Sequence, residues 1–488
     1  MWGFLNLDEK LIEQGIEIAS KLGASYIAVK LSDMKTLDYS AQNDRTRMTV
    51  ERTPGCHVRV ICNGAWGFAG SADVDASTIK TLAYQAVKLA KANATIRKVP
   101  VKLASNKAVQ ATYDTHIHKD PFKIPPEEIF DLLKSSVKIA REQSNLIKSS
   151  SASVIATVEH RMLGTSEGAM INQKLIRTSA GLTATAENMG MIQSSGLGQN
   201  FATKGYEWVE SRKLPEAAVT EGKTAAELAK AQRCPDAVTT IIIEDHMLAL
   251  QIHETLGHPS ELDRVLNTEV DFVGPIGESF FSPSAIGKMW FGSNLVNIVA
   301  DATIDGGQGT FGFDDEAVPA KKNYLIKEGI FVGFQSSRET AAEIDLPESS
   351  GQYLSTYGFD QPVVRMTNIN LLPGDWTRQE LIEDTKEGIL MSDYRTEIFD
   401  QRRTTFGFGA QKAWRIKNGE LTQILRDPTY YGVTNPFWRT CDGISKDNWY
   451  SYGGGCGKCR PGQSGRVGHF CSSARFRNVH VGGGGVNE

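Results

Sequence analysis

Residues 238–258, VTTIIIEDHMLALQIHETLGH, decide how this chain is read. The β-branched run at 238–243 is short and apolar, which predicts a buried strand leading into a helix over 248–257. That helix ends in His253-Glu254-Thr255-Leu256-Gly257-His258, two imidazoles with a carboxylate beside the first. A zinc peptidase needs such a set: two neutral nitrogen ligands, and a carboxylate able to take a proton from water. The familiar zinc helix, H-E-x-x-H, spaces its histidines four apart, and here they are five apart. Each helical residue advances about 100°, so a spacing of four leaves about 40° between side chains and a spacing of five about 140°. Sharing one ion therefore requires an irregular helix. Gly257 tolerates backbone angles that other residues resist. Pro259 is expected to push His258 out of the α region and end the helix. A π-type bulge or an unwound last turn would bring both imidazoles to one side. Two other pairings stay open at this level: Glu254 with His258, four apart, and His246 with His253, seven apart.

Outward from this stretch, the chain divides near residue 235, where Arg233-Cys234-Pro235-Asp236 breaks a helix predicted over 215–231. Before the break, helices are expected at 7–23, 77–90 and 125–140, the last opened by Pro125-Pro126-Glu127-Glu128. Strands are expected at 26–30 and 58–62 and across the alternating text of 151–195. After it come short strands at 295–300, 324–334, 365–372, 413–416 and 477–481, with a helix at 379–385. The expected fold class is α+β, with an α+β N-terminal domain (1–235) and a β-rich C-terminal domain (236–488) carrying the metal-binding helix.

Of the 488 residues, 40% are hydrophobic and 23% charged, the balance of a globular protein, and the formal net charge is −4. No basic run suggests a nucleic-acid partner. No apolar stretch approaches the roughly 18 residues needed to span a bilayer, so no membrane partner is expected. The opening residues Met1 to Glu9 lack the basic and apolar regions of a signal peptide, which points to the cytoplasm.

Seven cysteines are too few for a disulfide scaffold, and four of them, Cys441, Cys456, Cys459 and Cys471, crowd the last 48 residues. In a reducing compartment such a cluster points first to metal ligation. Cys456-Gly457-Lys458-Cys459, behind Gly453-Gly454-Gly455, could be half of a structural zinc site with Cys471 and either His469 or Cys441, or a redox pair. Alternatively, a single thiolate completes the His253/His258 site, which still needs a third protein ligand.

The order of these pieces resembles the TldD/PmbA family of metallopeptidases, and its TldD branch in particular. His253 to His258 looks like that branch's H-E-x-x-x-H, which the PmbA (TldE) branch lacks. Gly312-Phe313-Asp314-Asp315-Glu316 resembles the family's DDEG segment, with Ala317 in place of glycine. Leu325-Ile326-Lys327-Glu328-Gly329 resembles its LI-x-x-G turn, and Arg365-Met366-Thr367-Asn368 its RMTN segment. Cys456-Gly457-Lys458 with Gly462-Gln463 resembles the terminal C-G-K-x-G-Q, although Cys459-Arg460-Pro461 is a longer insert than usual and leaves Cys459 a rival to Cys456.

The resemblance implies Zn2+ held by His253, His258 and Cys456, with Glu254 as general base for hydrolysis of unfolded or extended peptides, including leader peptides. It also implies a dimer, with a PmbA/TldE-like chain or with itself. The opposing expectation is a non-catalytic scaffold or partner subunit with a structural zinc site on the C-terminal cysteines. Gly453 to Gly455 could let a peptide add as a strand, or form a plain turn. Asp314, Asp315 and Glu316 either orient a ligand histidine or form a solvated turn. Arg365 and Asn368 are read as structural, as are Cys441 and Cys471.

Overall fold

The Asp8 side chain accepts a hydrogen bond from the Lys10 amide, and this cap starts the first helix, Glu9–Lys21, whose apolar stripe follows the expected period. The structure, a computed structural model, describes residue 5 and residues 7–269 and 277–483. It is an α+β protein with one sheet in its N-terminal part and a barrel sheet in its C-terminal part. The expected N-terminal helices are Glu9–Lys21, Ala76–Ala94, Pro126–Glu142 and Leu214–Leu228.

They cover one face of a seven-stranded sheet. Its order is Ala65–Ser71, Arg45–Cys62, Tyr26–Gln42, Ile147–Thr165, Met170–Asn188 and Gln110–Asp114, with Met191–Ala202 also pairing Met170–Asn188. Ile12 and Ile79 from the helices meet Ile27, Val29 and Val58 of the sheet in one core cluster. Leu133, Val137 and Ala225 meet Tyr39, Val154 and Leu182 in another. Each large side chain so buried contributes about 1.5–3 kcal/mol.

The strands run well past the expected 26–30 and 58–62, reaching Gln42 and starting at Arg45. Their charged residues hid this extension, because the second face of the sheet is polar and also buried. Lys30, His57, Arg59, Glu159, Arg161 and Arg177 alternate with the apolar positions and point to that face. The second domain meets them with acids and carbonyls. Lys30 Nζ lies 2.8 Å from Asp315 Oδ2, Arg59 Nη1 3.1 Å from Glu316 Oε1, and Arg161 Nη2 donates to the Phe313 carbonyl at 2.9 Å. Asp314-Asp315-Glu316 is thus neither a solvated turn nor a support for a ligand histidine; it holds the two domains together. Ala317, which stands where the family pattern has glycine, has φ +57°.

The C-terminal domain is built on a sheet that closes on itself. Glu387–Phe399 pairs with Thr405–Lys417 on one side and, in parallel, with Ala237–Ile243 on the other. Ala474–Gly483 and Pro428–Val433 complete the ring. The predicted strand at 238–243 is therefore a barrel strand, with Ile241, Ile242 and Ile243 fully buried. Phe406, Phe408, Tyr430, Phe437 and Phe476 stack inside, with ring centroids of neighbouring pairs 4.2–5.9 Å apart. The expected helix at 379–385 is Arg378–Glu383, started by a Thr377/Glu380 capping box. Of the expected strand at 365–372 only Ile369–Leu371 forms. A hairpin of Tyr450–Lys458 and Gln463–Cys471 lies apart from the barrel sheet and carries Cys456 and His469. Among the described residues, no helix is long and apolar enough to cross a membrane.

Candidate metal centre

The motif helix begins as an ordinary α-helix, Asp245–Ile252, and then widens into a π-turn over His253–Gly257. The His258 amide donates to the His253 carbonyl, five residues back. The hydrogen bond now spans five residues instead of the four of an α-helix, which widens the turn, so the two imidazoles return to one side with ring centroids 4.8 Å apart. The expected bulge is present, but its supports differ from the expectation. His258 stays in the α region (φ −60°, ψ −46°) despite Pro259, which instead sits in the first turn of a 3-10 helix, His258–Ser260. Gly257 also has helical angles, and what it supplies is space. A Cβ there would lie 2.2 Å from Met366 Sδ.

Cys456 reaches the same point from the hairpin. Its Sγ is 3.3 Å from His258 Nε2, and ligand atoms of His253, His258 and Cys456 all lie within 4.8 Å of one another. Among the described residues this is the group of His, Cys, Asp or Glu placed to share an ion, and Cys459 is outside it. Cys459 is buried, with Sγ 3.4 Å from the Pro461 carbonyl. Cys441 and Cys471 are packed into the barrel core. His246 stacks on Tyr452 at 5.9 Å and lines the same cavity without joining the cluster.

Hydrogen bonds set the tautomers. His469 Nδ1 lies 2.9 Å from the Ile369 carbonyl, which can only accept, so Nδ1 carries the proton and Nε2 is bare. His253 Nδ1 must then donate to His469 Nε2, at 2.8 Å, which leaves His253 Nε2 with a free lone pair. His258 Nδ1 donates to Glu261 Oε2 at 2.9 Å, and its Nε2 faces Cys456. Both imidazoles are thus orientated by a partner on the far nitrogen, an arrangement that suits metal-binding histidines. Burial pulls His253 down to about 4 and His258 well below its ordinary value, so both are neutral, and it pushes the Cys456 thiol up to about 12. Two imidazole nitrogens and a sulfur with an open side suit zinc in a catalytic site.

Glu254 faces this cluster without joining it. Its Oε1 is 3.9 Å from His253 Nε2, and its Oε2 accepts from Arg403 Nε at 2.8 Å. Burial raises its pKa, and Arg403 opposes the shift. Arg403 is itself fixed over the Phe399 ring, at 3.8 Å. Behind His258, Glu261 belongs to a buried network. Lys458 Nζ lies 3.2 Å from Glu261, 2.9 Å from Asp263 and 3.5 Å from Glu269, while Arg264 Nε lies 3.3 Å from Glu269. Sequence reasoning offered His469 only as a structural zinc ligand and missed its place behind His253, along with Glu261, Arg403 and the acids around Lys458. Glu261, three residues after His258, left a local signal, and Lys458 stands in the C-G-K segment.

The centre opens into a cavity of about 330 Å³ lined by His246, Tyr394, Phe399, Tyr452 and the glycines 453–455 and 457. A second cavity of about 400 Å³ shares His246, Tyr452 and Gly453 with it.

Family models for the PmbA/TldA metallopeptidase domain 1, central domain and C-terminal domain match residues 31–94, 119–233 and 236–483. A metalloprotease of Methanocaldococcus jannaschii is 32% identical over 95% of this chain and 97% of its own. A protein of Saccharolobus solfataricus named as a zinc metalloprotease TldD homolog is 25% identical over 96% of this chain and 99% of its own. The crystal structure of TldE from Thermococcus kodakarensis shares the fold, with a TM-score of 0.74 at 15% identity over 97% of this chain and all of that one. Matched in all three of its segments, and over nearly its full length by a relative, the chain belongs to the PmbA/TldD family of metallopeptidases.

Proposed function

We propose that this chain is a zinc-dependent peptidase acting on extended peptides, with His253, His258 and Cys456 as metal ligands and Glu254 as general base. The observation that carries the reading is the convergence of the three ligand side chains, with Glu254 beside them, on one open cavity. A zinc ion held there would supply a Lewis acid that brings the pKa of a water close to neutrality. Glu254, held by Arg403, takes the proton of the attacking water and returns it to the amine that leaves. His469 and Glu261 keep the ligand nitrogens bare and aimed.

Substrate shape follows from the cavity walls. Among the described residues Tyr450–Lys458 pairs only with Gln463–Cys471, and nothing lies within 4 Å of where a Cβ of Gly454 would be. Asn200 already engages the Ser451 carbonyl and the Gly453 amide, so a peptide in extended form would pair at the Gly454–Gly455 stretch of this edge. A folded substrate would not enter. We further propose a dimer, with a TldE-like chain or with a second copy, which the mass of the purified protein in solution reads directly.

The deciding experiment is metal content. Wild type should carry one zinc per chain, and His253→Ala and Cys456→Ala should each lose it together with peptide cleavage. Zinc retained in either variant would remove that residue from the centre and favour a structural site on the remaining cysteines.

The protonation states also predict a pH dependence. Near neutrality both histidines are already neutral while the thiol, at about 12, still holds its proton. Binding a divalent cation therefore expels one proton, and apparent affinity should rise about tenfold per pH unit between pH 6 and 8. Competition against a chelator of known protonation measures this. A slope of two, or a flat profile, would contradict the assigned states.

A further inference from the structure

The polar face of the N-terminal sheet contains a second cluster of charged groups. Arg161, Arg177, Arg365 and Arg466 converge with Glu159 and Thr356 around a cavity of about 30 Å³ between the two domains. Arg161, Arg177, Arg365 and Glu159 are only 5%, 4%, 3% and 2% exposed. The Arg466 side chain, at 19%, forms the one partly open wall among these.

Four positive charges thus face one carboxylate. Glu159 Oε2 is 3.6 Å from Arg177 Nη1 and 3.9 Å from Arg466 Nη1, beyond hydrogen-bond distance. The nearby Lys30 is already matched by Asp315. Each buried guanidinium is tied on one side: Arg161 Nη2 to the Phe313 carbonyl, Arg177 Nε to that of Gln308, Arg365 Nη2 to that of Cys456. On the other side, Arg161 Nε, Arg177 Nη1 and Arg365 Nη1 find no hydrogen-bond partner among the described residues, and neither does Thr356 Oγ1.

Arginine cannot shed its proton to escape burial. Water could accept from these N–H groups but would leave the excess charge uncompensated in a low-dielectric interior. A cavity of this size has room for one or two water-sized centres, so it admits a monatomic ion and excludes a phosphate ester or a peptide. We propose that this cluster binds one small monovalent anion, of which chloride is the type. The ion sits at the seam between the domains and completes the charge balance of their interface. Through Arg365, which also lies against Gly465 opposite Cys456, it steadies the hairpin strand that carries Cys456.

The test uses the full-length protein and does not depend on peptidase activity. Thermal unfolding is followed in sodium chloride and in sodium gluconate of equal ionic strength, and crystals grown in sodium bromide are measured at the bromine absorption edge. Chloride should raise the Tm saturably where gluconate does not, and an anomalous bromide peak should appear between Arg161, Arg177 and Arg365. Glu159→Gln, which removes the competing carboxylate, should lower the half-saturating chloride concentration by about tenfold. Arg177→Gln should raise it. A purely structural Glu159 would give the opposite sign on its substitution. Equal Tm in the two salts, or a cavity without bromide density, overturns the proposal.

Discussion

Glu254→Gln is expected to lower kcat for peptide hydrolysis by about 10²–10⁴-fold while leaving one metal ion bound per chain. The substitution is close to isosteric, and the amide oxygen can still accept from Arg403 Nε, 2.8 Å from the carboxylate in the native protein. The ligand set of His253, His258 and Cys456 is untouched. What disappears is the group that carries a proton from water to the leaving amine. Single-turnover cleavage of an unstructured peptide, paired with metal analysis of the same sample, separates chemistry from metal loss. Turnover within a few-fold of wild type would take Glu254 out of the mechanism and pass the role to another acid lining the cavity, such as Glu397, which burial and Glu254 hold at about 7.

The second large effect is expected on stability. Lys458→Met should cost about 3–5 kcal/mol, because it strands buried carboxylates that one ammonium now serves. Lys458 is fully enclosed and touches Glu261, Asp263 and Glu269; among the described residues Arg264, beside Glu269, is the other cation paired with these acids. Burial already raises Asp263, and it raises Glu269 to about 7. A carboxyl whose pKa is higher folded than unfolded retains its proton in the native state alone, so it favours folding below the folded pKa and loses that contribution as pH rises through it. The deficit of the variant should therefore be larger at pH 8 than at pH 5.5. Urea unfolding at the two values measures this, and a deficit that is equal or larger at the lower pH would show that these acids are not the cause. Metal affinity should also fall, by about 10–100-fold, because Glu261 loses the cation that positions it behind His258.

The parts of the centre that share a short segment were legible in the sequence. His253, Glu254 and His258 announce themselves by type and spacing, and the misfit with a regular helix was enough to predict either a π-bulge or an unwound last turn, of which the π-turn forms. Gly257 was singled out for the wrong reason: its value lies in the approach of Met366, which no local pattern records. The role of His469, named in the sequence only as a possible structural zinc ligand, could not be found because it meets His253 across 216 residues, through a hairpin register that places it beside Tyr452. The fold shows the same division. Apolar helical stripes gave the helices nearly to their ends. The first two long strands were cut short, one after Lys30 and the other before Val58, where polar and charged residues dominate the text, since burial of a charged face depends on partners such as Asp315, 285 residues away from Lys30.

The distance along the chain between the candidate ligands has a consequence of its own. His258 and Cys456 are 198 positions apart in sequence, yet their ligand atoms lie 3.3 Å apart in space. An ion joining them would act as a cross-link closing a very large ring. By the loop-entropy relation used for covalent bridges, a ring of that size withholds about 5 kcal/mol of conformational freedom from the unfolded chain. The same side chains that arrange the chemistry would then fasten the motif helix to the C-terminal hairpin, so that a chelator removes a topological constraint along with the reactive centre.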